Sequence, residues 1–364
     1  MNIRINALAC LIGLCLSFNI FAVQTAWKTE CVGRFQVSVP GEGEVAVDRL
    51  PPPYEGATRF RFSDGSIANR SSSHHLGVVS ISEEVPSSVY HDRVKKNDAV
   101  IRRDVSEDFH SGSEIARLRA NNSKLLKFTA PNVHAWRHQA AYDTYTIWLK
   151  MYVGNRIVFH QASSIDTASE ADEAAQTFVR NFQPRPLFDL PKGEGVCIPY
   201  GFIADDGKPA RQVGVTMRLI DHPDVEIFFE DQTAPRPYKT GAKLADAKHL
   251  NFFFWEEVAQ GTDGIKVLFP GYRSIKLAGF AGIASFVEIK KKDGSLDYGY
   301  AAHVAGDHTA ATDTPQLMLY VIRTASRAKG KPVSKNELKE MANKIAASIK
   351  RRAIVSQPSE ILMP

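Results

Sequence analysis

The sequence predicts an α+β fold built from two related domains, each an antiparallel sheet with packed helices. Three observations carry this reading. The length of 364 residues is more than one ordinary core holds and fits about two domains. One order of segments occurs twice: a cysteine passage, strand-like runs, a helix, more strands and a closing helix. The strands follow one another through turn signals without regular β-α-β alternation, which favours α+β over a doubly wound sheet. Hydrophobic residues at 44% and charged residues at 23% are globular values and exclude disorder as the main state.

The amino terminus has the layout of a secretory signal peptide. Arg4 gives the positive start, residues 7–21 are almost wholly apolar, and Ala22 is a small residue for cleavage. The run is short for a membrane span, which needs about 20 apolar residues; an uncleaved anchor is the alternative. Cys10 has too little sequence before it for a lipoprotein site, and Cys15 follows the bulky Leu14. Residues 1–22 are therefore expected to leave. The rest, exported to a bacterial periplasm, has no stretch for stable membrane insertion.

Export leaves Cys31 and Cys197. In an oxidising compartment two remaining cysteines pair or stay as separate buried thiols, and pairing is the expectation. Each opens one copy of the repeated order, in Cys31-Val32-Gly33-Arg34-Phe35 and in Cys197-Ile198-Pro199-Tyr200-Gly201-Phe202.

In the first half a helix is expected over 87–103. Tyr145, Ile147, Leu149, Met151 and Val153 alternate with mostly polar neighbours. Gly154-Asn155 then makes a turn and Ile157-Val158-Phe159 returns, giving a half-buried hairpin. Thr167 and Glu170 have capping-box spacing, followed by a helical stripe of Ala171, Ala174, Ala175, Phe178 and Phe182. Pro184 and Pro186 end that helix. The domains are accordingly 23–186 and 187–364. In the second half a helix is expected over 244–258. Ile283, Ser285, Val287 and Ile289 lead to a hairpin turn at Asp293-Gly294, and 317–322 adds a buried strand. Ser334 and Glu337 repeat the capping box, and Leu338, Met341, Ala342, Ile345 and Ile349 repeat the stripe. The tail after Arg352 has no periodic pattern and reads as loosely held.

No catalytic, cofactor-binding or metal-binding residues are assigned. The sequence has no G-x-S-x-G elbow, H-E-x-x-H helix, C-x-x-C pair, phosphate loop or G-x-G-x-x-G. Gly41-Glu42-Gly43 reads as a turn and His74-His75 as a surface loop. His134 and His138 flank Trp136 at a spacing that would share a helical face, but Pro131 makes that helix doubtful. Asp205-Asp206 and Glu256-Glu257 read as surface decoration, and Lys290-Lys291-Lys292 as a solvated hairpin tip. The net charge of +5 and pI near 8.9 are a mild excess and no case for nucleic acid. The balance falls toward a binding protein.

The passage from Trp27 to Pro40, with its Cys31-x-Gly33-Arg34-Phe35 core, and the passage from Gly195 to Ile203 resemble immunity proteins paired with phospholipase effectors of bacterial type VI secretion. The resemblance implies a periplasmic protein with two related α+β domains that grip a cognate phospholipase together. It implies inhibition by occluding the lipase's active site or lid, without chemistry or cofactor. Partner-contacting residues are not placed; Tyr54, Tyr238 and Tyr272 are as well explained as loop residues. The alternatives are a periplasmic ligand-binding or envelope-maintenance protein and, further behind, an exported hydrolase.

Overall fold

The computed structural model describes residues 26–49, 60–68, 72–75, 77–139, 143–236 and 243–354. The expected signal peptide, Tyr54, Tyr238 and the tail from residue 355 lie outside the described residues.

The first half starts with hairpin β1 (Trp27–Val32) and β2 (Phe35–Pro40), then β3 (Gly43–Val45), β4 (Val47–Asp48), β5 (Phe60–Arg61), β6 (Ser72–His75) and β7 (Val78–Glu84). Helices α1 (Ser87–His110) and α2 (Glu114–Asn122) follow. Then come β8 (Lys124–Leu126), β9 (Val133–Gln139), β10 (Tyr145–Val153), β11 (Arg156–Ile165), α3 (Ala168–Asn181) and β12 (Phe182–Pro184). The second half runs β13 (Gly195–Ile198), β14 (Gly201–Ala204), β15 (Arg211–Leu219), β16 (Val225–Gln232), α4 (Lys243–Ala259), β17 (Gly264–Val267), β18 (Arg273–Leu277), β19 (Phe280–Lys290), β20 (Leu296–Val304), β21 (Gln316–Arg323), α5 (Lys335–Ser348) and β22 (Lys350–Arg351). The fold is α+β.

The two halves share one strand order. The first sheet runs β6-β7-β11-β10-β9-β8, and the second β15-β16-β21-β20-β19-β17, with β18 also on β19. The small sheets correspond as well: β1-β2-β22 matches β13-β14-β12, with the strand after each closing helix crossing to the hairpin at the start of a repeat. The crossing is reciprocal: β12 carries the first half onto the hairpin of the second, and β22 closes the second half back onto the first. The equivalent edge strands β6 and β15 pair antiparallel, Arg211 opposite His75 through Gly214 opposite Ser72. Through them the two large sheets become one 16-stranded sheet among the described residues.

Local sequence explains most elements. Both capping boxes form: Thr167 and Ser334 accept from the N–H groups of Glu170 and Glu337, and both glutamates accept from the cap N–H. The stripe behind each box is buried, as at Ala171, Ala175 and Phe178 in α3 and Leu338, Ala342 and Ile345 in α5. These helices cover one face of the sheet, and a core of residues from both halves fills that layer, Leu149 and Phe178 joining Leu319 and Ile345. On the other face α4 holds Phe254 and Trp255 against Phe228, Val287 and Tyr320. Helix α1 runs to His110, past the expected end at 103, because no glycine or proline intervenes before Gly112.

Two local readings need correction. His74-His75 is not a loop: its backbone forms β6, because the free edge of β15 offers it a ladder that polar residues cannot announce in the sequence. The stretch after α3 does not simply break off, because Phe182 to Pro184 pair with β14. Pro184 is tolerated since β12 is an edge strand.

Candidate partner-binding surface

The cysteine passages meet where the halves join. Cys31 and Cys197 occupy equivalent hairpins with Cα atoms 5.7 Å apart and are joined as a disulfide across 166 residues of sequence. Beside them Gly33 and Cys197 exchange both backbone hydrogen bonds at 2.8 Å. Gly33 has φ +58°, and a Cβ there would overlap the Asp231 carboxylate; only glycine serves this close approach.

Arg34 forks onto Asp205, Nη1 to Oδ1 at 2.8 Å and Nη2 to Oδ2 at 2.9 Å. The Arg34 N–H donates to Asp231 Oδ2 at 2.8 Å. Asp231 in turn takes two bonds from Arg211, at 2.6 and 2.8 Å, and both of these side chains are 0% exposed. Asp205 was expected at the surface; it is instead drawn in by Arg34, while Asp206 stays exposed and pairs with Lys208.

Two equivalent arginines close the junction. Arg185, just after β12, donates to Glu30 Oε1 at 2.5 Å and to the carbonyls of Cys31 and Ile198 at 3.1 Å. Arg352, just after β22, donates to the carbonyls of Pro191, Gly193 and Gly195 at 2.7, 2.6 and 3.1 Å. Burial pushes the Arg352 pKa down, partly offset by Glu194. Its carbonyl cradle holds the chain firmly up to that point. Cys31 to Phe35, the core of the first passage, and Cys197 in the second are thus interior to the junction and are spent on joining the halves.

The remaining polar candidates are also structural. His134 and His138 lie on strand β9, not a helix. His138 stacks on Trp148 at 5.6 Å and meets Ser123 at 3.0 Å. His134 faces Asp98 at 3.7 Å under α1, where burial lowers its pKa. Trp136 Nε1 donates to Asp98 at 2.8 Å. Glu256 and Glu257 are exposed on α4. Lys290 and Lys291 pair with Asp263 and Asp297. Among the described residues, no group of three or more His, Cys, Asp or Glu could hold a metal. A cleft of about 350 Å³ lies between the end of α4 and the sheet, floored by Phe254, Tyr320 and Ile322. Its cations already have partners within the chain, Lys291 on Asp297 and Arg327 on Glu226.

Lys150 stands opposite His134, half-buried beneath α1, and makes no ion pair among the described residues. Desolvation first, then Arg93, pushes its pKa from 10.5 down to about 8. The unfolded chain therefore binds more protons between about pH 8 and 10.5, so this group makes stability rise with pH across that window. Lys150→Met should raise stability at pH 7 by about 1–2 kcal/mol, discounted for residual solvent contact. The gain should shrink toward zero by about pH 10.5. Urea melts of both proteins at pH 7 and pH 10 check this; an equal difference at both values refutes it.

Among the described residues two groups of exposed apolar side chains stand out, both missed in the sequence. On α2 the small Ala116 and Ala120 are buried while Ile115 and Leu118 are 59% and 53% exposed. Phe109 at the end of α1 and Leu125 on the edge strand β8 are exposed as well. On α4, three consecutive phenylalanines sweep about 200° around the helix, so Phe254 is buried while Phe252 and Phe253 point out. Phe269 between β17 and β18 is 94% exposed. The triple-Phe run was a legible sign, because no single helix face can bury all three.

Comparison with known proteins now bears on this chain. Residues 189–353 match the family described as Tle cognate immunity protein 4 C-terminal domain. The match spans the second half from β13 through β22. Solved structures extend the same fold over nearly the whole chain. The Tle4-Tli4 complex matches with a TM-score of 0.61 and 17% identity, covering 91% of this chain and 99% of that one. Apo immunity protein TplEi of T6SS from Pseudomonas aeruginosa matches with a TM-score of 0.59 and 17% identity, over 92% and 99%. The same protein complexed with an "L" peptide matches with a TM-score of 0.57 and 16% identity, over 90% and 99%. No curated protein matches. No described helix is long and apolar enough to cross a membrane.

Proposed function

We propose that this protein is a periplasmic immunity protein that binds and inhibits a cognate type VI secretion phospholipase effector. The family match of residues 189–353 carries the reading. The shared fold over both halves with immunity protein TplEi and the Tle4-Tli4 complex supports it. So does the signal-like start of the sequence, since a membrane phospholipase delivered to the periplasm must be met there. The protein acts without catalysis, by occupying the active-site entrance or lid of the effector so that lipid is kept out. The working units are 23–186 and 187–364, held by the Cys31–Cys197 disulfide once residues 1–22 are removed. A large apolar contact suits the role, because neutralising a toxin at nanomolar level needs about −12 kcal/mol.

The test is a titration. The protein from residue 23 onward is added to the phospholipase encoded with it, and hydrolysis of phospholipid vesicles is followed. Loss of activity near a one-to-one ratio, with co-elution, is expected. Unchanged hydrolysis without co-elution overturns the reading.

A further inference from the structure

β17 and β18 lie on the same edge of β19, and the register between them jumps. Val267 stands opposite Val287, while the next pair is Arg273 opposite Ala284. Residues 268–272 therefore bulge from the outermost strand opposite only Ser285 and Phe286. The bulge is internally tied. The Leu268 N–H donates to the Phe286 carbonyl at 2.8 Å, and the Gly271 N–H donates back to the Leu268 carbonyl at 2.8 Å. This is a β-turn with Phe269 and cis-Pro270 at its centre and Gly271 at φ +85°. Leu268 anchors the base in the main core. Tyr272 is half-buried under Lys248, whose Nζ lies 5.4 Å from the ring centroid.

An edge-strand bulge has a structural use of its own, since it blocks edge-to-edge pairing. That use explains the bulge and not a phenylalanine at its tip, where a polar residue would serve better. Phe269 is 94% exposed, against 59% for Ile115, the next most exposed large apolar side chain among the described residues. Burying such a ring elsewhere returns most of its hydrophobic transfer energy, and a tied turn has little entropy left to lose on binding. The surroundings also carry a sign. Lys266 and Lys276 are exposed on the two strands that flank the turn, and neither makes an ion pair among the described residues. Lys248, also exposed, lies over the Tyr272 ring and makes no ion pair among the described residues.

We infer that the 268–272 turn is the anchor by which this protein engages its effector: Phe269 enters an apolar pocket of the phospholipase, and Lys248, Lys266 and Lys276 meet acidic side chains on the pocket rim. The inference rests on the immunity reading above. A phospholipase fits this occupant because an enzyme that accepts acyl chains must present an apolar opening. The lysines select an opening with a negative rim.

The test uses the protein from residue 23 onward with Phe269→Ala, Phe269→Asp and a Lys248/Lys266/Lys276→Glu triple variant, with Phe109→Ala as a control in the other half. Affinity for the effector is measured by titration calorimetry and by inhibition of vesicle hydrolysis at low and high salt. Phe269→Ala should weaken binding at least about 30-fold, as for an interface hot spot, with an unchanged melting temperature. Phe269→Asp should weaken it further. The triple variant should slow association and flatten its salt dependence, and Phe109→Ala should change affinity less than about threefold. If the wild-type protein inhibits but Phe269→Ala inhibits equally well, the anchor is overturned and the immunity reading stands. If the wild-type protein does not bind the effector, both fall. If Phe269→Ala leaves inhibition intact but abolishes self-association in sedimentation, or binding to phosphatidylethanolamine–phosphatidylglycerol vesicles, the occupant is a second copy or lipid and the inference is wrong.

Discussion

Asp231→Ala should destabilise the protein by about 3–5 kcal/mol, the range for breaking a buried ion pair from one side. Three separate donors end on this carboxylate: Arg211 Nε, Arg211 Nη2 and the Arg34 backbone N–H. Neither Asp231 nor Arg211 has any exposed side-chain surface, so water cannot replace the lost acceptor. Removing it strands a guanidinium in the junction between the halves. A whole domain is commonly stable by only about 5–15 kcal/mol, so this one change should cost a large share. Arg211→Ala strands the carboxylate instead and should cost a similar amount. The double variant should cost less than the two singles added, because they share one interaction. Urea denaturation of the four proteins measures this. A loss below about 1 kcal/mol for Asp231→Ala, or strict additivity, would contradict the account.

Cys31→Ser should lower stability by roughly 4–5 kcal/mol in oxidising buffer, from the chain-entropy value for a loop of this length. The cross-link joins positions 166 apart, so without it the unfolded chain gains most of the freedom of one repeat. Under reductant the wild-type protein should melt with the variant. Cys197→Ser should behave as Cys31→Ser does, since both remove the same bond. Thermal melts with and without dithiothreitol decide it. Equal melting of variant and wild type in oxidising buffer would mean that the junction is held by its ion pairs and by the Gly33–Cys197 backbone bonds alone.

The two effects act at one place, and that place shows the reach and the limit of sequence reading. The motif Cys31-x-Gly33-Arg34-Phe35 was distinctive enough to suggest a family, but its use was hidden. Arg34 is matched to Asp205 and Asp231, 171 and 197 residues away. No local pattern announces such pairs, so Asp205 read as a surface acid. The second repeat has no arginine in the matching hairpin. The corresponding work falls to Arg185 and Arg352, each placed by the strand that follows a closing helix.

What the sequence determined by itself is the set of elements whose causes are local. The capping boxes at Thr167 and Ser334 fix helix starts because donor and acceptor lie three residues apart. The alternation through Tyr145–Val153 and the turn at Gly154-Asn155 fix a hairpin because side chains on a strand alternate faces. The repeated order of these elements already implied two related sheets. The tertiary structure decided what depends on distant partners. It joined the sheets through β6 and β15, where the polar His74-His75 gave no strand signal. It buried the ions of the junction. It also chose which apolar residues stay outside: Ile115 and Leu118 because Ala116 and Ala120 take the packed side of α2, and Phe269 because a tied turn lifts it off the edge strand. Exposure is a property of the whole packed molecule, since whether a side chain meets water depends on which distant segments come to cover it.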